Sequence, residues 1–228
     1  MAPMDLHLRT ADAVHGTRPQ PSPLVADHLA QVLPAMQASK TWNLPRPLVH
    51  VIDREADSVG HYRAWHEAGH SFLVRGDDRL VQWRENECLL SEVIATLESE
   101  AAFRRSREVL YQGKPAWQEV AEVEVVLHRP AKQRRGGKQR EVPGPALPLR
   151  FVVARVRDEG GTLLAQWLLL SNVPAGWADA ATLALWYFWR WRIETYHKLL
   201  KSLGQEIEHW QQESGEAIAK RLLVVAMA

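Results

Sequence analysis

Apolar and polar positions along the chain alternate between two periods, and the changes of period mark out its elements. Leu48-Val49-His50-Val51-Ile52 is a short apolar run entered through Pro45 and Pro47, and it predicts a buried strand. A helix is expected from about Ser58 through Ala68, ended by Gly69, and Ser71-Phe72-Leu73-Val74-Arg75 reads as a second strand. Strand, helix, strand at this spacing is a βαβ-like or mixed-sheet unit. Between Val120 and His128 the period becomes two, with Ala121, Val123, Val125 and Leu127 on one face and Glu122, Glu124 and His128 on the other. Arg150–Arg157 and Leu163–Ser171 are two further strands. Helical spacing covers Cys88–Glu100 and also Leu24–Met36, the latter broken or kinked at Pro34. Near the start, Met4–Thr10 is strand-like and Val14–Pro23, with Gly16, Pro19 and Pro21, is a loop.

The longest helical pattern lies near the C-terminus, over Trp186–Lys201, with Asp179 as N-cap and Gly204 as the stop. At about 100° per residue, Tyr187, Arg190, Glu194 and Lys201 form one polar stripe. Trp189, Ile193, Tyr196 and Leu200 form a neighbouring stripe expected to pack on a core. A carboxylate flanked by a phenol, a guanidinium and an ammonium suits phosphate and a hard cation. The same spacing also describes a solvated face with weak ion pairs. Asp53-Arg54-Glu55-Ala56-Asp57 follows the first buried strand, and strand ends beside loops are where open α/β sheets place their chemistry. A plainer role is also open to it: a turn in which Asp57 or Ser58 caps the next helix.

Composition narrows the partners. The 228 residues carry a formal net charge of +1, so no overall basic field marks a nucleic-acid protein, and any such binding rests on local clusters. Lys132-Gln133-Arg134-Arg135-Gly136-Gly137-Lys138-Gln139-Arg140 is the densest cluster, a glycine-broken basic loop that reads either as a solvated hairpin tip or as the place for a DNA phosphate backbone to lie. Cys88 is the single cysteine, which excludes an intrachain disulfide and fits a reducing compartment. Neither a signal-peptide pattern nor a membrane-length apolar run is present, and the expectation is a cytoplasmic protein with no membrane partner.

Tyr187, Arg190, Glu194 and Lys201 reproduce the pattern Tyr-x2-Arg-x3-Glu-x6-Lys, and here the chain resembles the bacterial insertion-sequence transposases of the DDE type. Asp53 to Asp57, followed by Phe72-Leu73-Val74-Arg75, is similar to the same family. The resemblance implies an α/β fold: a partial ribonuclease H-like core interrupted by a β-rich insertion, with core segments 1–75 and 165–228 around an insertion 76–164. It implies Asp53 and Glu194 as catalytic, metal-binding carboxylates. Tyr187, Arg190, Lys201 and Arg75 are implied as DNA contacts, and Trp167, opening Trp-Leu-Leu-Leu, as a residue that stacks on a flipped base. The implied cofactor is Mg²⁺ or Mn²⁺, the partner double-stranded DNA at transposon ends, and the assembly a homodimer.

Strand cleavage and joining at phosphorus are served by two divalent ions held by a few carboxylates. The family's first Asp lies on a strand well upstream of Asp-Arg-Glu-Ala-Asp, and its pattern is not found here. Asp5, Asp12 and Asp27 stand in only by default. Met4–Thr10 resembles the third core strand, and Ala217–Ala228 reads as a core-seeking helix reaching the last residue, so the expectation is an incomplete transposase. The rival functions are a DNA-binding or dimerising remnant without catalysis, and a different metal-dependent nuclease on the same core.

Overall fold

In the computed structural model, residues 7–9, 13–16, 22–23, 29, 32–135, 138–201, 216–217 and 220–221 are described. For 7–9, 13–16, 22–23, 133–135, 138–139, 191–197 and 199–201 this means the backbone alone. Contacts divide the chain into two units, residues 47–188 and residues 1–46 with 189–228.

The second of these units opens with a small antiparallel sheet of β1 (His7–Arg9), β2 (Ala13–Gly16) and β3 (Ser22–Pro23). Two of these strands fall in the stretch expected to be a loop. Backbone pairing there overrides the proline-rich composition, and Pro23 itself occupies a strand end, where a missing N–H is tolerated. Helix α1 (Val32–Lys40) contains Pro34 in its first turn. The expected break at Pro34 does not occur, because the first N–H groups of a helix have no intrahelical partner to lose. Residues 24–28, the first part of the expected helix, lie outside the described residues.

Residues 47–188 form a mixed α/β unit around one mostly antiparallel sheet of eight strands. In chain order these are β4 (Val49–Ile52), β5 (Ser71–Arg75), β6 (Leu80–Trp83), β7 (Asn86–Leu89), β8 (Arg104–Tyr111), β9 (Lys114–Leu127), β12 (Leu147–Arg157) and β13 (Leu163–Ser171). A separate hairpin, β10 (Ala131–Arg135) with β11 (Lys138–Val142), stands between β9 and β12. Across the sheet the order is β4-β5-β13-β12-β9-β6-β7, with β8 on β9. Only β4 and β5 are parallel, joined through α2 (Val59–Glu67). Strands from residues 76–164 therefore continue the sheet that β4, β5 and β13 begin.

The period-two pattern decides the layers. Phe72 faces α2, its ring stacked on Tyr62 at 5.4 Å and edge-on to Trp65 at 5.6 Å. Its neighbour Leu73 points the other way, into a cluster with Trp167, Leu169, Leu183, Ala184 and Tyr187. That cluster is where the first turns of α4 (Ala180–Lys201) pack on the sheet. Burial of such side chains contributes about 1.5–3 kcal/mol each. Gly69, at φ 70, closes α2: the His70 N–H donates to Trp65 O (2.9 Å), a left-handed cap that a side chain would strain. Gln112 and Gly113, both at positive φ, make the two-residue turn joining β8 to β9.

Two further expectations change. Cys88 and Leu89 end β7, and helix α3 (Leu90–Ser99) starts only at Leu90. The cause is polar: Glu92 accepts the Leu89 N–H (2.6 Å), and Asp78 accepts the Ser91 N–H (3.0 Å) and hydroxyl (2.7 Å). Trp189, expected in the packing stripe of α4, is 47% exposed. The apolar face of the first turns is instead centred on Leu183, Ala184 and Tyr187, and a hydroxyl at the end of one ring did not keep that ring out of the core. Asp179 starts α4 as expected, its Oδ1 accepting the Thr182 N–H (2.8 Å). Gly204 and most of 217–228 lie outside the described residues.

Candidate functional site

The C-terminal ends of the two parallel strands share one rim. Ile52 pairs with Val74, so Asp53 and Arg75 each come one residue later on neighbouring strands. Asp53 then caps a single 3-10 turn, Arg54–Ala56, accepting the Arg54 N–H at Oδ1 (2.7 Å). A short acidic residue after a buried strand gives this result, because the chain must turn and the turn's first N–H needs an acceptor.

A second donor reaches the same oxygen from far along the chain. The Tyr187 hydroxyl donates to Asp53 Oδ1 (3.2 Å), bridging 134 residues of sequence. Tyr187 is fully buried, and its ring lies 6.3 Å from that of Trp167. The structure thus brings together Asp53, Tyr187 and Trp167, with Arg75 at the same strand ends. Trp167 is 4% exposed and packs within the core cluster, so in this state its ring is covered. Arg190 is partly buried, three residues beyond Tyr187 on α4. Glu194 and Lys201 belong to the same helix, and their side chains lie outside the described residues, as do Asp5, Asp12 and Asp27.

Asp57, at the other end of the turn, is differently placed. Its side chain is 3% exposed and ion-paired with Arg79. The Asp77 N–H donates to Oδ2 (2.6 Å), and the Tyr62 hydroxyl donates to Oδ1. Burial, and then the charge of Asp57, holds the Tyr62 phenol well above its usual range. Ser58 stands at the N-cap of α2, but the capping expected of Asp57 or Ser58 side chains is absent: Ser58 makes no such bond, and Asp57 is turned toward Arg79. No local signal pointed to this, since Arg79 arrives on the far side of β5.

An open cleft of about 690 Å³ lies beside Asp57, lined by Ser58, Arg79, Arg129, Lys132 and Glu141. The described parts of the basic stretch, 132–135 and 138–140, lie on the two strands of the hairpin at its edge, with Lys132 paired to Glu141 and Gln133 to Arg140 in register.

Oxygen-only donors suit a small divalent cation such as Mg²⁺, and Asp53 supplies a carboxylate at the strand rim. Among the described residues no three His, Cys, Asp or Glu side chains converge as a ready metal cluster.

Residues 15–228 match the family described as Transposase DDE domain. The match spans nearly the whole sequence, and the chain belongs to this family of transposase domains. No curated protein matches it. Among the described residues, no helix is long and apolar enough to cross a membrane.

Proposed function

We infer that this transposase domain uses Asp53 and Glu194 as divalent-cation ligands in DNA strand cleavage and joining. The observation that carries the reading is the Tyr187–Asp53 hydrogen bond (3.2 Å). It ties the Asp-Arg-Glu-Ala-Asp motif to Tyr187, the first residue of the Tyr-Arg-Glu-Lys motif. In this reading the two parallel strands and their helix are part of a ribonuclease H-like core, into which 76–164 is inserted. When bound, Mg²⁺ supplies charge neutralisation for the attacking and leaving oxygens of the displaced phosphate. The chain's own task is to hold carboxylate oxygens where such ions are needed. Arg75, Arg190 and Lys201 take phosphate oxygens, Trp167 stacks on an unpaired base once uncovered, and the hairpin cations meet the DNA backbone further out. Two copies acting on two DNA ends complete the reading.

Mn²⁺ titration followed by electron paramagnetic resonance tests the ligand roles directly. Asp53→Ala and Glu194→Ala are each expected to weaken binding by about 10-fold or more, with the fold unchanged by circular dichroism. Wild-type affinity in both variants overturns the assignment.

A further inference from the structure

Resting on the reading in which the hairpin cations meet the DNA backbone, we propose that Arg63 of α2 is a positioning residue for that hairpin. Its guanidinium ties the entry and the exit of β10–β11 together and so fixes where the basic arm stands. The hairpin is a two-stranded sheet of its own, apart from the eight strands of the main sheet. Among its described side chains only Ala131 is buried, where it packs beside Gly60 of α2; Lys132, Arg140, Glu141 and Val142 are exposed. One buried alanine gives two strands little apolar packing to hold their place, and an isolated hairpin is marginally stable at best in water.

What holds the hairpin is polar. Arg63 Nε donates to Pro145 O (2.8 Å) and Nη2 donates to Arg129 O (3.0 Å). Arg129 comes just before β10 and Pro145 just after β11, so one planar fork spans both roots of the hairpin. The exit is shaped for this contact. Gly144 stands between Pro143 and Pro145, whose rings preset the backbone, and a Cβ at Gly144 would lie 2.9 Å from Arg63 Nη1 and 3.1 Å from Cζ. The guanidinium therefore lies against bare backbone. Its third nitrogen, Nη1, is buried without a hydrogen-bond partner among the described residues, so the head is committed to these two carbonyls. An arginine kept only for solubility would turn its head into water. Lys132 and Arg140 thus reach DNA from a root already fixed, and the arm is ordered before it binds.

The experiment measures binding of the full chain to a short DNA duplex of arbitrary sequence over a salt series. Arg63→Ala is expected to weaken binding by about 10-fold, the loss that follows when the hairpin is in place only about a tenth of the time. The plot of log affinity against log salt is expected to keep its wild-type slope, because the phosphate contacts are the same once formed. A slope shallower by about 0.9 makes Arg63 itself a phosphate contact, and wild-type affinity leaves the hairpin placed without it; either result overturns the proposal. Arg63→Lys offers one ammonium that cannot span both carbonyls, so it should bind like Arg63→Ala, and full affinity in that variant counts against the fork. Gly144→Ala pushes the guanidinium off its carbonyls and should reproduce the loss, with no further loss when combined with Arg63→Ala. Additive losses count against a shared contact. Hydrogen exchange separates local release from unfolding: amides of β10 and β11 are expected to exchange faster in Arg63→Ala while those of α3 and β12 do not. Equal acceleration everywhere makes the residue merely structural and overturns the positioning role. Lys132→Ala combined with Arg140→Ala tests the underlying reading by itself. A shallower slope there, with wild-type affinity in Arg63→Ala, removes the clamp and keeps the hairpin on DNA. An unchanged slope takes the hairpin off the DNA and this inference with it.

Discussion

Asp53 and Asp57 stand at the two ends of one five-residue segment, and each accepts a tyrosine hydroxyl. Their surroundings nevertheless suit opposite purposes. Asp57 is 3% exposed, neutralised by Arg79, and takes the Asp77 N–H as well, an arrangement that fastens α2 to the turn after β5. Asp53 is half-buried at the strand rim, with a local N–H and the Tyr187 phenol meeting on one oxygen. A carboxylate whose charge is already cancelled by a guanidinium is a poor cation ligand. In the proposed reading Asp57 is the structural end of the motif and Asp53 its chemical end, and stability and binding measurements can separate the two.

The largest expected effect is on folding. Asp57→Asn removes the charge opposite Arg79 and leaves a mostly buried guanidinium without its anion. Breaking such a pair costs about 3–5 kcal/mol. Asp53→Asn keeps an acceptor for the Arg54 N–H and the phenol, and its cost is expected near 1 kcal/mol. Urea denaturation of both variants checks this. Equal losses would erase the distinction between the two ends.

Much of this unit was legible because its signals are local. Ser71–Arg75 has the bounds the apolar run predicts, the helix after Asp57 stops at Gly69, and of the face expected to be apolar in β9 Ala121, Val125 and Leu127 are buried and Val123 is half-buried, with Ala116, Gln118 and Val120 buried besides. What escaped was set by partners distant in sequence. β9 begins at Lys114, not near Val120: Pro115 pairs only with Leu110 of β8, while β12 ends opposite Trp117, so the missing N–H of Pro115 breaks no ladder. Arg155 reads as a surface charge, yet it is buried in β12, where Glu98, Gln166 (2.6 Å) and the face of Phe103 (4.0 Å) accommodate it. At the candidate site, Asp53 was singled out by its motif. The phenol that holds it was placed on a polar stripe, since helical spacing alone does not say whether a Tyr presents its hydroxyl or its ring to the core.

DNA affinity offers the next sharpest contrast. If the chemical end carries the nucleic acid, Arg75→Ala, Arg190→Ala and Lys201→Ala should each make the plot of log affinity against log salt shallower by about 0.9. Arg129, in the cleft beside Asp57, already pairs with Glu87 at 2.5 Å, and Arg129→Ala is expected to leave the slope alone. A slope that responds to Arg129 and not to Arg75 would move the DNA to the structural end.

The smallest effect concerns pH, and it decides where the two aspartates can be compared fairly. His50 lies on β4, three residues before Asp53, with its ring edge-on to His70 at 5.5 Å. Burial, and then the charge of His70, pushes its pKa down to about 4 from 6.5. The unfolded chain therefore binds this proton more readily than the folded one. Stability from a neutral His50 is present above about pH 6.5 and is lost as pH falls toward about 4. The surface carboxylates Glu87 and Glu100, held below 4.5 by Arg129 and Arg84 respectively, act the same way but lower, where they begin to protonate. The windows separate above pH 4.5: a shallow decline of the thermal midpoint from pH 6.5 to 4.5 belongs to His50, and a steeper one sets in below it as the carboxylates add to it. His50→Gln should flatten only the upper segment, since its amide has no proton to gain. Should the decline above pH 4.5 persist in that variant, the strand leading into Asp53 would be titrating through another group. Metal binding by Asp53 would then have to be measured above pH 6.5 to be free of the fold.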